Sequence, residues 1–210
     1  MPTNFDKVAS IYNTLCSIVF GNNIKKAQYY FLNKIPENSS ILIIGGGTGD
    51  FLSTLMHLKK PAQIVFIESS EKMLDICKSK LNIKCLSEIK FRKGTEDSLR
   101  EEEMFDVIIT YFFLDLFSDN ELTRIMQKLN SHLKKGGMWL FSDFQVSKYS
   151  WRKYWQKILI QTMYLFFNIT SGLKNNKLED FGTYFGNLKL NSLYEVYLFK
   201  RMIYVCVYIK

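Results

Sequence analysis

Ile41-Leu42-Ile43-Ile44-Gly45-Gly46-Gly47-Thr48-Gly49-Asp50 decides how the rest of the chain is read. Four consecutive apolar residues without polar alternation describe a strand buried on both faces, as in a parallel sheet. Glycines follow at 45, 46, 47 and 49, and then Phe51, Leu52, Leu55 and Met56 recur at helical spacing. Strand, glycine turn and helix form the unit in which bare backbone and the positive end of a helix dipole can meet a nucleotide-like ligand.

Strands and helices alternate from this point on. Strands are expected at 63–67, more weakly at 89–92, at 106–110 and at 138–141. Helices are expected at 50–59, at 71–80 with Met73, Leu74 and Cys77 inward, and after the capping box Ser118–Glu121, where Leu122, Ile125, Met126, Leu129 and Leu133 share one face. Lys134-Lys135-Gly136-Gly137 is expected to end that helix. This alternation is the pattern of an α/β fold, a parallel sheet with helices on both faces. Before it, Phe5, Val8, Tyr12, Leu15 and Val19 trace an amphipathic helix, a second helix is expected over 24–32, and Pro36 closes the segment. After Asp143 a long helix is expected, with Trp151, Tyr154, Trp155, Ile158, Leu159, Leu165 and Phe166 inward. Arg152, Lys153, Gln156, Lys157 and Gln161 would lie on its outer face. Runs 194–199 and 203–209 read as a closing hairpin.

The 210 residues suit one domain with a sizeable core, and a hydrophobic content of 47% excludes a disordered chain. The organisation expected is a single domain over 1–210: an N-terminal helical lid (1–36), a cofactor-binding core (37–145), a helical insertion near the acceptor site (146–190) and the hairpin (191–210). No apolar run reaches membrane-spanning length and the start lacks a signal-peptide pattern, so a cytoplasmic location is expected. Cys16, Cys77, Cys85 and Cys206 show no paired spacing and read as buried thiols, and His57 and His132 stand alone, so no metal site is expected. The net charge of +8 is uneven: residues 1–144 carry +1 and residues 145–210 carry +7. The basic third fits an anionic membrane surface or nucleic acid, and equally a solubilising face.

Three turns compete for residues 45–50. The phosphate loop needs Gly-Lys-Ser/Thr, but Asp50 and Phe51 follow Gly49. The dinucleotide fingerprint needs a glycine where Asp50 stands. Gly45, Gly47 and Gly49 instead spell G-x-G-x-G, a tighter turn suited to a ligand without phosphate. Glu68, after the second strand, can accept both ribose hydroxyls, or be a solvated strand end. Met73 can cover an adenine ring or belong to the core.

These residues resemble the class I S-adenosylmethionine-dependent methyltransferases. Residues 41–49 look like the family's V-L-D-I-G-C-G-T-G motif. Residues 67–74 (Ile-Glu-Ser-Ser-Glu-Lys-Met-Leu) look like its D-x-S-x-x-M-L segment. Residues 93–99 are similar to its G-[DT]-A-E-x-L segment, 105–109 to its F-D-V-V strand, and 133–137 to its L-K-P-G-G turn. Residues 5–13 resemble the F-D-x-[IV]-A-x-x-Y-D opening of the quinone-type C-methyltransferases, which would make Tyr12 part of a lid. The sequence departs from the pattern at Ile43, where an acid is usual, and at Thr95, where aspartate is common.

The resemblance implies a Rossmann-like three-layer sandwich, its seven-stranded, mostly parallel sheet closed by an antiparallel hairpin strand. It implies S-adenosylmethionine as cofactor, bound by Tyr12, Gly45, Gly46, Gly47, Thr48, Gly49, Glu68, Ser69, Met73, Thr95, Glu96, Thr110 and Tyr111. Asp115, Tyr111 and Asp143 are the catalytic candidates; Asp115 also reads as a helix-entry residue. The aromatic segment 111–117 and the helix 151–167 point to a small apolar acceptor, with RNA and a non-catalytic donor-binding module as alternatives.

Overall fold

The computed structural model describes residues 20–145 and 180–210, together with Tyr154, Gln156 and Ile158. Its strands are β1 (Ser40–Ile44), β2 (Gln63–Glu68), β3 (Ile89–Lys93), β4 (Phe105–Tyr111), β5 (Leu133–Phe144), β6 (Asn191–Leu198) and β7 (Ile203–Ile209). Its helices are α1 (Asn23–Tyr29), α2 (Asp50–Leu58), α3 (Glu71–Ser79), α4 (Ile83–Glu88), α5 (Asp119–Ser131) and α6 (Phe181–Asn187). The strands form one seven-stranded sheet of order β3-β2-β1-β4-β5-β7-β6, in which β7 runs antiparallel to both of its neighbours. β1 pairs in parallel with β2 and β4, placing Ile41 beside Ile64 and Val107.

The unbroken apolar run of β1 has a direct structural cause. Ile41 and Ile43 enter a core with Ala27, Leu52, Leu55 and Leu74 from α1, α2 and α3. Leu42 and Ile44 enter a second core on the other face, with Leu122, Ile125, Met126 and Leu129 of α5 and Phe181 and Phe185 of α6. A strand at the centre of a three-layer fold has no solvent face, so alternation is absent.

Several elements differ from the sequence-based expectation. The segment 133–137 is part of β5 and not a helix-ending turn: Leu133 pairs with Phe105, and a register shift between Phe105 and Val107 takes up the irregularity. Gly136 adopts a φ of 74° there and exchanges backbone bonds with Lys210 through the 136–137 pair, which only a residue without a Cβ does cheaply. The second helix stops at Tyr29 and is followed by a 3-10 turn over Leu32–Lys34. α4 was not anticipated; its start is fixed by Asn82, whose side chain accepts from the Cys85 amide at 2.8 Å.

The expected long helix lies mostly outside the described residues. At the three positions that are described its orientation is opposite to the expected one. Tyr154 and Ile158 are 75% and 63% exposed, while Gln156 is buried. The cause is polar: Gln156 Nε2 donates to the Lys200 carbonyl at 3.1 Å, at a hairpin tip where Phe199, Lys200 and Arg201 all have positive φ.

The N-terminal ends of the central strands are tied by Asp106. Its Oδ2 accepts from the Ser40 amide (2.8 Å) and hydroxyl (2.7 Å), and its Oδ1 from Lys134 Nζ (2.9 Å). Burial alone raises an acid, but Lys134 and Ser40 outweigh it and hold this carboxyl down at about 2. A depressed carboxyl contributes stability above its unfolded pKa and loses it as pH falls through the folded one. Urea midpoints of the wild type should therefore drop more steeply between pH ~4 and ~2 than those of Asp106→Asn. At neutral pH the substitution should cost about 1 kcal/mol, kept small because the pair is partly solvated.

Candidate functional site

The chain leaves β1 toward α2 on one face and leaves β4 toward α5 on the other, so a crevice opens at Ile44 and Tyr111, the carboxyl ends of neighbouring strands. The glycine turn forms one wall. Gly45, Gly47 and Gly49 have φ of 65°, 58° and 74°. The Gly45 amide bonds to the Ile67 carbonyl (2.9 Å), the Gly49 amide returns to the Gly46 carbonyl (3.2 Å), and the Ser53 amide takes the Gly49 carbonyl (3.0 Å) to start α2.

Gly49 and Gly47 are required for different reasons. A Cβ on Gly49 would fall 2.1 Å from Cys77 Sγ, so α3 fixes a glycine there by contact as well as by φ. A Cβ on Gly47 would meet nothing within 4 Å, so at that point the turn faces open space. Ile43, where the family usually has an acid, is 3% exposed inside the core with Phe66, so no carboxylate lies beneath the turn at that position.

Glu68 brings a carboxylate to the turn instead. Its Oε2 accepts from the Gly47 amide at 2.9 Å; its Oε1 accepts from the Ser70 amide at 2.9 Å and the Ser69 hydroxyl at 3.3 Å. A carboxylate offers about four acceptor positions, so roughly one remains for a ligand hydroxyl, and rotation of the exposed Ser69 hydroxyl frees another. The expected grip on two ribose hydroxyls therefore needs Ser69 to move. Ser70 caps α3 by accepting from the Met73 amide, and Met73 is half-buried and belongs to neither core. Thr95 is exposed and its hydroxyl accepts from the Asp97 amide, which starts a 3-10 turn over Glu96–Ser98. Glu96 is 2% exposed and paired with Arg124 of α5, turned away from the crevice.

On the opposite wall, Tyr111 packs edge-on against Phe51 with ring centroids 5.0 Å apart. Tyr111 also lines a small cavity of about 20 Å³ with Gln28, Ile43, Gly45, Gly46 and Phe51. Burial pushes its phenol well up, so it can donate a hydrogen bond but is not a base. Thr110 points to the other face, where its hydroxyl accepts from Trp139 Nε1 at 2.9 Å in the core. Asp143 is fully buried, with Oδ2 accepting from the Leu114 and Asp115 amides (3.1 Å each) and Oδ1 from the Phe144 amide (2.9 Å). Burial, and then the Asp115 carboxyl beside it, raise its pKa. Asp115 is 5% exposed. These two acids brace the segment after β4. That segment contains Phe112, held at φ 53°, and Phe113, whose ring sits 2.2 Å from where a Cβ on Gly45 would be. Tyr12 lies outside the described residues. Gln28 was missed by sequence reasoning, because nothing in its local spacing ties it to the turn, and Phe51 was read only as part of the helix that follows the turn.

The methyltransferase-domain family matches residues 41–137. Malonyl-[acyl-carrier protein] O-methyltransferase of Bacillus cytotoxicus is 30% identical over 131 residues, covering 60% of this chain and 44% of its own. Carboxy-S-adenosyl-L-methionine synthase of Campylobacter jejuni subsp. doylei is 26% identical over 145 residues, covering 66% of this chain and 60% of its own. The chain thus spans about half the length of the malonyl-[acyl-carrier protein] O-methyltransferases it matches. Among solved structures, the N-methyltransferase NodS from Bradyrhizobium japonicum WM9 in complex with S-adenosyl-L-homocysteine has the same fold. Its TM-score is 0.63 at 14% identity, over 90% of this chain and 87% of that one. This sheet order and this turn thus lie in a segment, residues 41–137, that matches the methyltransferase-domain family, in line with the resemblance drawn from the sequence.

The turn geometry predicts unequal costs for two glycine substitutions. In urea unfolding, Gly47→Ala should cost about 1 kcal/mol, the strain of a positive φ alone. Gly49→Ala should cost roughly 3 kcal/mol or more, because strain and the Cys77 clash add.

Proposed function

We propose that this protein moves a methyl group from S-adenosylmethionine to a small, apolar or lipid-like acceptor by in-line displacement. The observation that carries this reading is the open Gly45–Gly49 turn with the Glu68 carboxylate at its side. Its bare backbone and positive φ values leave space at Gly47 for a ligand's amino-acid end, and Glu68 with Ser69 offers acceptors for a sugar hydroxyl. In this reading Met73, half-buried in the first turn of α3, covers a base, and Tyr111, which lines the small cavity beside Gly45 and Gly46, bounds the crevice toward the acceptor. The same reading sets the exposed Thr95 beside the base and gives Glu96 and Thr110, which are paired with Arg124 and Trp139, an indirect part through packing.

When bound, the donor supplies a methyl group already activated by a sulfonium. The chain's own residues supply proximity and alignment, and aromatic faces such as Tyr111 and Phe113 tolerate the nearby positive charge. The acceptor reading rests on the aromatic pairs that follow β4, Phe112 with Phe144 in one core and Phe113 with Phe117 against the other. A second reading, methylation of an acyl carboxylate on a carrier protein, is favoured by the malonyl-[acyl-carrier protein] O-methyltransferase match. The lysines and arginines that suggested a membrane or RNA partner lie mostly in 146–179, outside the described residues.

Calorimetry with S-adenosylmethionine, its demethylated product and NAD tests the donor. Both sulfur ligands should bind and NAD should not; failure of both sulfur ligands would overturn the reading. Glu68→Ala should weaken binding about tenfold, equivalent to ~1.4 kcal/mol. Labelled methyl transfer into a lipid extract, RNA and malonyl-loaded carrier protein then chooses the acceptor class, with the lipid extract expected to take the label.

A further inference from the structure

Lys80 reaches from the end of α3 to the outer edge of the glycine turn. Its Nζ donates to the Thr48 carbonyl and to Asp50 Oδ1, both at 2.9 Å, and the Thr48 hydroxyl bonds to Asp50 Oδ2 at 3.2 Å. On the inner side Glu68 holds the Gly47 amide at 2.9 Å. The two residues therefore grip the same short piece of backbone from opposite sides. A trans peptide places its C=O and N–H on opposite edges. Drawing the Thr48 carbonyl out to Lys80 therefore turns the Gly49 amide inward, where it meets the Gly46 carbonyl at 3.2 Å. Position 43 supplies no carboxylate to organise the turn, and both glycines flanking Thr48 have positive φ, so the orientation of this peptide plane depends on its hydrogen bonds, the Gly49 amide to Gly46 and the Thr48 carbonyl to Lys80.

We infer that Lys80 is a positioning residue for the methyl donor, an outer clamp that holds the glycine turn in its ligand-accepting shape; this rests on the donor reading above. The clamp is solvent-facing, with side-chain exposures of 33% for Lys80 and 50% for Asp50. Salt screens such a pair, and removing it changes global stability little.

The test is calorimetric titration of full-length protein with S-adenosyl-L-homocysteine at about 0.05 M and about 0.5 M salt, with thermal midpoints measured in parallel. Lys80→Met should weaken binding about five- to tenfold at low salt, abolish most of the wild type's salt dependence, and leave the ligand-free midpoint unchanged. Lys80→Arg should restore affinity to within about twofold, and Asp50→Asn should give a smaller loss of the same kind. Lys72→Met, on the same helix, should change nothing. Wild-type affinity in both Lys80→Met and Asp50→Asn, or an equal loss in Lys72→Met, would overturn the clamp while leaving the donor reading intact. A wild type that binds no ligand would defeat both.

Discussion

The peptide units of residues 45–49 must pass through three positive φ values while pressed against β2 and α3, and the surrounding sequence accommodates that constraint. Cys77 supplies the smallest polarisable side chain that still fills the space beneath Gly49. Its thiol is pushed up to about 12, mainly by burial, so size and not reactivity explains it. Glu68 ends β2 at the one place from which a carboxylate can reach the Gly47 amide, and Ser70 then caps α3 two residues later. Strand end, turn and helix start are one hydrogen-bonded unit.

The opposite end of the sheet is fixed by different means. Asp106 joins the starts of β1, β4 and β5 through Ser40 and Lys134. Between this anchor and the turn, β1 offers only apolar side chains to two cores. Apolar contacts hold a strand in place but tolerate sliding; polar contacts at both ends specify register. The crevice at Ile44 and Tyr111 inherits its shape from that register.

How much of this was legible in the sequence follows from the range of each interaction. The strands of the core, the glycine turn and the Ser118–Glu121 capping box are written in contiguous residues, and their existence was readable. Side-chain direction was harder. Glu96 turns to Arg124 and Thr110 to Trp139, contacts between residues 28 and 29 positions apart, with no local spacing to announce them. The outward face assigned to Gln156 failed for the same reason, since its partner is a carbonyl at a hairpin tip 44 residues away. A helical periodicity says which residues share a face, but a strained turn short of donors can draw a polar residue inward. Strand β5 was read too short because Gly136-Gly137 looks like a stop signal, whereas in the fold it lies within β5, at the irregularity of the β4 pairing, and is bonded to Lys210 just after β7.

The acids after β4 and β5 show how the same residues change meaning once their partners are known. In sequence, Asp115 and Asp143 are natural candidates for a base. In the fold, Asp143 receives three backbone amides and Asp115 is buried beside it. Together they hold a turn that begins at Phe112, a bulky residue at φ 53°, a conformation that persists only when its surroundings over-determine it. Phe112 is anchored through its amide to the Ser142 carbonyl at 2.7 Å and through its ring to Phe144. Asp143 already accepts three backbone amides, two of them from that turn, so a role in proton removal would compete with its hold on the turn. In the proposed reaction, alignment against the glycine turn carries the chemistry, which returns the determining role to the backbone of residues 45–49.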